Sequence, residues 1–371
     1  MAPLQVGGDA FDQRVVLEAL EHLDTRLEHH LQELLLVILG VVREQDVGED
    51  LIVRLGKLVE VHDPSIGSAA APTVLVVGAA SRDLDPADPR GWRLGGGVTY
   101  GSLAAARLGL AVRALVGVDA EAEEAHELDL LRRAGVELCT VRLASGPVFD
   151  NQPLAAGGRR QVAHARCAAL PGAALPPAWR EPAAALLNPV AGELGNEWAG
   201  AFASSTSLAL GWQGLMRRLV PGRPVEPLPI RPGPLLARAD LALVSAEDAV
   251  AGAGTGDTTL PELLVRPGQQ LLISHGSRPA LLVTRHERGF SMRLLPVTPA
   301  ATVIDATGAG DILLAAWTSA VAGLAAAGRR AAPAAALRLA LAAASLHVER
   351  RGLAGVPTLA EVCERLVRRP S

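Results

Sequence analysis

The sequence predicts an α/β fold, three layers built around a largely parallel sheet with a small β flap, and three observations predict it. From Thr73 onward, short apolar runs alternate with alanine- and leucine-rich stretches of helical length, the pattern of βαβ units. The first of those runs, TVLVVGAA, reads as a buried strand that ends in a glycine turn. The stretches after it close on glycine, at Gly109 and Gly135, where a helix needs a residue that tolerates the left-handed region.

Taken in order, SLAAARLGL predicts a helix, AVRALVGVD a strand and EAHELDLLRRAG a second helix. Runs at 184–190, 241–244, 270–274 and 280–284 predict further strands, and PGRPVEPLPIRPGP at 221–234 reads as a stiff connection poor in donors. Segments 81–98 and 147–166 are irregular or short-stranded and are expected to form the flap over the carboxyl edge of the sheet. The uncharged run Ile312 to Gly328 is shorter than the ~20 apolar residues of a membrane span and predicts a buried helix.

Residues 1–70 read as an extension to an α/β domain at 71–371. Within them, Val16, Leu20, Leu23, Leu27, Leu31, Leu34 and Ile38 recur at spacings of three and four, an amphipathic helix signal over 14–39. A partner-binding or dimerising helix and a misassigned start both account for it. His22, His29 and His30 fit the polar face of that helix better than a metal site. DPSIGSAAAP at 63–72 reads as a linker.

Composition excludes several functions. A net charge of −4 without a dense basic cluster gives no footprint for nucleic acid. Three dispersed cysteines, Cys139, Cys167 and Cys363, offer neither a disulfide framework nor a CxxC zinc pattern and fit a reducing, cytoplasmic setting. The first residues, MAPLQVGGDAFD, do not resemble a secretory signal. Lys57 is the only lysine, so the GxxxxGK[ST] phosphate loop is absent.

Two glycine-rich segments carry the chemistry. In DATGAGD at 305–311, small residues open a helix, where backbone N–H groups and the positive end of the helix dipole suit a phosphate. Asp311 there is either an ordinary helix cap or a general base beside that anion site. In WRLGGGVTYGSLAAARLG at 92–109, the glycines allow a ligand close to backbone, and the spacing is not that of a dinucleotide fold. A near copy, GAGTGDTTL at 252–260 with Asp257, lacks the preceding strand and meets Pro261, so it reads as a loop.

Together, the front glycine segment opening an ARLG-ending helix and D-x-T-G-A-G-D near the back resemble the two signatures of the ribokinase/PfkB family of carbohydrate kinases. ALAAASLHVERRGLAGVPTLAEV resembles the family's closing helix, turn and final helix, so the resemblance spans about 73–369. It implies a ribokinase-like fold and transfer of a phosphoryl group to an alcohol of a small sugar or polyol. It implies Asp311 as the base, and Thr307, Gly308, Ala309 and Gly310 around the phosphate of MgATP. Ser274 and Gly276, in ISHGSRPALLV, and Ser345 would lie along the nucleotide, and Asp83, Gly96 and Gly97 on the acceptor side. A monovalent cation and a homodimer through the flap are also compatible with it.

The chain departs from the family at two places. The family's sugar-contacting Asn is here Tyr100, which argues against ribose as acceptor. Its NxxE, which organises magnesium through water, aligns with SAED, leaving Ser245, Asp248 and the neighbouring Glu247. The FDN and PVAGEL segments resemble inositol-kinase-like members, which points to a cyclic polyol and places Asn151, or Asp150, near it. A non-catalytic nucleotide- or metabolite-binding protein of the same fold and a nucleoside kinase are the alternative readings.

Overall fold

The structure, a computed structural model, describes residues 4–6, 73–153, 159–229, 231–253, 260–326 and 333–367. The 14–39 segment, the 63–72 linker and most of the second glycine string lie outside the described residues.

In chain order the strands are β1 (Leu4–Val6), β2 (Thr73–Ala79), β3 (Ser81–Leu84), β4 (Trp92–Gly95), β5 (Ala111–Val118), β6 (Glu137–Arg142), β7 (Val148–Pro153), β8 (Arg159–Ala165), β9 (Ala184–Leu187) and β10 (Ser207–Gly211). Three two-residue pieces follow, β11 (Arg217–Arg218), β12 (Arg223–Pro224) and β13 (Glu226–Pro227), then β14 (Leu241–Ser245), β15 (Gln270–His275), β16 (Arg278–Arg285) and β17 (Phe290–Leu295). The helices are α1 (Gly97–Arg107), α2 (His126–Arg133), α3 (Pro234–Arg238), α4 (Ala246–Ala253), α5 (Ala309–Ala326), α6 (Pro333–His347) and α7 (Leu359–Val367).

The main sheet runs β1-β17-β16-β15-β14-β10-β9-β2-β5-β6. From β6 to β15 every neighbouring pair is parallel, and β16, β17 and β1 close the far edge antiparallel. Alternate residues of β2 feed two cores. Val74 and Val76 pack with the α1, α5 and α6 side chains Leu103, Ile312 and Leu337. Leu75 and Val77 pack on the other face with Leu170, Trp198, Leu236 and Ala249. A parallel strand buried on both faces needs such a continuous apolar run, which is what TVLVVGA supplies.

After β2 the chain goes outward through β5 and β6, then returns to the opposite side of β2 with β9 and β10. This reversal of strand order leaves a crevice at the carboxyl ends of the strands, where open α/β sheets bind ligands. Only Ala80 separates β2 from β3, so the central strand continues directly into the second sheet, ordered β12-β8-β7-β3-β4. That sheet pairs β3 with β4 antiparallel and β3 with β7 parallel, and so draws its strands from 81–95, 148–165 and 223–224.

A buried carboxylate fastens the crevice wall. Glu193 is 1 % exposed and accepts hydrogen bonds from the amides of Ala79 (2.9 Å), Val190 (3.1 Å) and Ala191 (2.9 Å). Burial pushes its carboxyl above the ordinary range against the pull of those amides. The PVAGEL turn is thereby tied to the end of the central strand. Glu193→Gln presents an NH2 group to amide donors and should cost about 2–4 kcal/mol, measured as a lower urea midpoint. An unchanged midpoint would contradict this role for the side chain.

Candidate functional site

The crevice is a cleft of about 180 Å³ lined from both sheets and from the start of α5. Its walls include Asp83, Gly96, Gly97, Tyr100, Asn151, Ser245, Asp248, Ser274, Thr307, Gly308, Gly310 and Asp311. Residues separated by more than two hundred positions thus meet in one place. Ala309, Gly276, Ser345 and Glu247 do not line it. Gly276 forms the turn between β15 and β16 with φ 57°, and Ser345 is buried in α6 within reach of the Arg365 guanidinium at 3.3 Å. Glu247 points to solvent.

Asp311 lies in the first turn of α5, half-buried, and its Oδ1 accepts a hydrogen bond from Asn188 Nδ2 at 2.9 Å. Asn188 directly follows β9 and is 3 % exposed. An ideal Cβ at Gly97 would stand 2.7 Å from the same Asp311 oxygen and still closer to the Asn188 amide. Only glycine lets the N-terminus of α1 come this near. Gly96 before it has φ 93°, and a Cβ there would meet the Ala79 carbonyl at 2.6 Å. The triple glycine is therefore a packing requirement of the cleft floor.

At the start of α5 the Thr307 amide donates to Asp305 Oδ1 at 2.9 Å and the Ala309 amide to the Ala306 carbonyl at 3.2 Å. The first intrahelical bond of α5 is Ile312 N–H to Gly308 O, so the Gly310 amide precedes it at the helix's positive end. Gly308 has φ 86°, and a Cβ on it would strike the Tyr100 ring at 2.8 Å.

Tyr100 is 1 % exposed and forms the support beneath this turn. Burial, then the Asp83 carboxylate, pushes its phenol far above the ordinary range, so it stays neutral. The His347 ring meets it edge-on at 5.4 Å, and His347 Nε2 lies 2.8 Å from the Thr307 carbonyl. Burial holds the His347 imidazole below its usual value, and a neutral ring facing a carbonyl must carry its proton on Nε2.

On the wall formed by the second sheet, Asp83 is 5 % exposed and accepts from Ser81 Oγ at 3.0 Å, while Asn151 on β7 accepts from Gln161 on β8 at 2.8 Å. Asp150 turns instead to Gln152. At the start of α4, Asp248 Oδ2 accepts from Ser245 Oγ at 2.6 Å and from Gln213 Nε2 at 2.7 Å, and the Ser245 hydroxyl caps the Asp248 amide at 3.0 Å. Ser245 thus orders the start of α4. A carboxylate held at the rim of the cleft suits a water-mediated magnesium contact. Among the cleft residues that escape a reading of the sequence are Asn188, Gln213 and Arg217, the last a cationic side chain in the wall. Each is a single polar residue at a strand end or just beyond it, with no motif around it.

Residues 234–359 match the model of the pfkB family carbohydrate kinases, a stretch that includes DATGAGD. No curated protein matches the chain. Among solved structures, ribokinase from Thermotoga maritima is similar with a TM-score of 0.59 and 18% identity over 80% of this chain and 100% of that one. Fructokinase with bound ATP from Xylella fastidiosa gives 0.60 and 19% over 79% and 98%. A pyrophosphate-dependent kinase in the ribokinase family, complexed with a pyrophosphate analog and myo-inositol, gives 0.59 and 19% over 78% and 99%. At these identities the structures establish the fold, which is ribokinase-like, and the pfkB segment lies within it.

Two outcomes are expected from this geometry. Gly308→Ala should destabilise by more than the ~1 kcal/mol of a left-handed alanine, because the Tyr100 ring must also move, and urea unfolding measures it. The depressed His347 value means that stability from the neutral ring is complete above 6.5 and is lost as pH falls through the folded value. The thermal midpoint of the wild type should therefore drop more than that of His347→Gln between pH 7 and 5; parallel curves would refute the buried neutral ring.

Proposed function

We propose that the protein is a phosphotransferase that moves the terminal phosphoryl group of ATP to an alcohol of a small sugar or cyclic polyol. The observation that carries this reading is the Asp311 carboxylate, held by Asn188 in the cleft beside a glycine turn at a helix N-terminus. A base and an anion site are needed together for attack of a hydroxyl on a phosphate.

The acceptor would rest against Asp83, Asn151 and the Gly96–Gly97 backbone, with its hydroxyl toward Asp311. Asp311 takes the hydroxyl proton as the oxygen bonds to phosphorus and the bond to the leaving diphosphate breaks. Charge on the transferred group is met by the amides at the start of α5 and by its dipole, with Arg217 in the same wall. Magnesium, held through water by Asp248, would neutralise the donor phosphates. Asn188, donating to Oδ1, fixes the rotamer of the base.

Asp311→Asn keeps the size of the side chain and its place at the helix start. It should lower turnover by at least about a thousandfold, with the melting midpoint and nucleotide binding nearly unchanged. Phosphate transfer measured over sugars, inositols and nucleosides, with ATP and with pyrophosphate as donors, identifies the acceptor class. Full activity in the Asn variant would refute the mechanism, and tight ATP binding with no turnover on any acceptor would replace it with a non-catalytic binding function.

A further inference from the structure

The DATGAGD turn is joined to the second sheet by charge. Arg93 on β4 extends its guanidinium to Asp305, the first residue of the turn, with Nη2 2.9 Å from Oδ2. The other Asp305 oxygen accepts the Thr307 amide, and Oδ2 also accepts the Gly352 amide at 3.2 Å. Arg93 Nη1 lies over Gly352, at 3.1 Å from where a Cβ would be. Both partners are mostly buried, at 20 % and 12 % side-chain exposure. Beside them Arg351, with its side chain 59 % exposed, pairs with Asp85 at 2.8 Å, and Arg93 Nε stands 3.9 Å from the same carboxylate.

Asp305 therefore has two properties that pull in opposite directions. Its carboxylate sets the backbone at Thr307, next to the turn offered to a phosphate, which helps. It is also a negative charge in low dielectric just behind that turn, which would repel the same phosphate. Arg93 cancels the charge and leaves the backbone bond in place. The register that pairs Arg93 with Asp83 across β3 and β4 puts this cation on the hairpin that bears the acceptor wall.

We propose that Arg93 is a positioning residue for the transfer: it neutralises Asp305 behind the anion site and locks the acceptor hairpin to the DATGAGD turn. The inference rests on the kinase reading above. A fork-shaped guanidinium suits the task better than an ammonium, because one nitrogen reaches Asp305 while the other stands over Gly352.

The test measures pyrophosphate binding by titration calorimetry on the full chain, together with kcat and KM on an acceptor found in the panel. Arg93→Met should weaken pyrophosphate binding about tenfold or more and raise KM for the donor. Arg93→Lys should recover part of both. The decisive variant is Arg93→Met with Asp305→Asn: the amide still accepts the Thr307 N–H but carries no charge, so binding should return to within about threefold of wild type. Arg351→Met, at the exposed rim, should change binding less than about twofold.

Normal pyrophosphate affinity in Arg93→Met would overturn the proposal. So would an added loss in the double variant, which is what a purely structural clamp gives, or a wild type that does not bind pyrophosphate. Where no acceptor in the panel is turned over, the kinase reading fails, while the charge-dependent pattern of pyrophosphate binding still decides the role of Arg93.

Discussion

Three chain segments reach the Asp311 carboxylate at once, and there is room for them only because position 97 has no side chain. The N-terminus of α1 approaches from one side, the N-terminus of α5 carries the carboxylate itself, and Asn188 comes up from the end of β9. Any Cβ at Gly97 would collide with both the acid and the amide that holds it. The close approach brings the N-termini of both helices to one spot, and it can exist only where the strand order reverses and leaves the sheet's carboxyl edge uncovered. The continuous apolar strands, the two cores and the Glu193 tether all hold that edge at a fixed spacing.

The charges around the site are arranged in the same spirit. Buried carboxylates are numerous there, and each is matched in a different way: Glu193 by backbone amides, Asp305 by an arginine and two amides, Asp311 by an asparagine, Asp248 by a serine and a glutamine. Matching by neutral donors leaves a carboxylate free to take up a proton or meet a cation, whereas matching by an arginine fixes its charge. Glu193 and Asp305 shape the backbone around the cleft, and Asp311 and Asp248 line it.

Much of the fold was legible because parallel strands and glycine-closed helices leave strong local patterns. β2, β5, β9, β14, β15 and β16 all fall on apolar runs read from sequence. The strands that escaped are informative: ELCTVR is an edge strand with only partial burial, SLALG is short and made of residues equally at home in a helix, and FSMRLL interrupts its apolar run with an arginine. At the site, the glycine motifs were visible because a backbone constraint permits one residue type. Asn188, Gln213 and Arg217 were not, since a lone polar residue after a strand has no signature until folding shows what it faces. Tyr100, the chain's only tyrosine, stands where the resemblance puts a sugar-contacting Asn, and it lines the cleft. Its ring proves to be almost wholly buried, and it underpins Gly308.

The one-residue passage from β2 to β3 gives the molecule an uneven capacity for change. β3 and β4 are an extension of a strand buried on both faces, so this half of the cleft wall inherits the rigidity of the core. β7, β8 and the 217–225 stretch reach the same wall over longer connections and pack in a small satellite cluster of Phe149, Ala163 and Leu219. Substitutions there fall outside the two main cores. The cleft therefore tolerates a change of side chain more readily on its β7–β8 side than on the side bearing the glycines and Arg93.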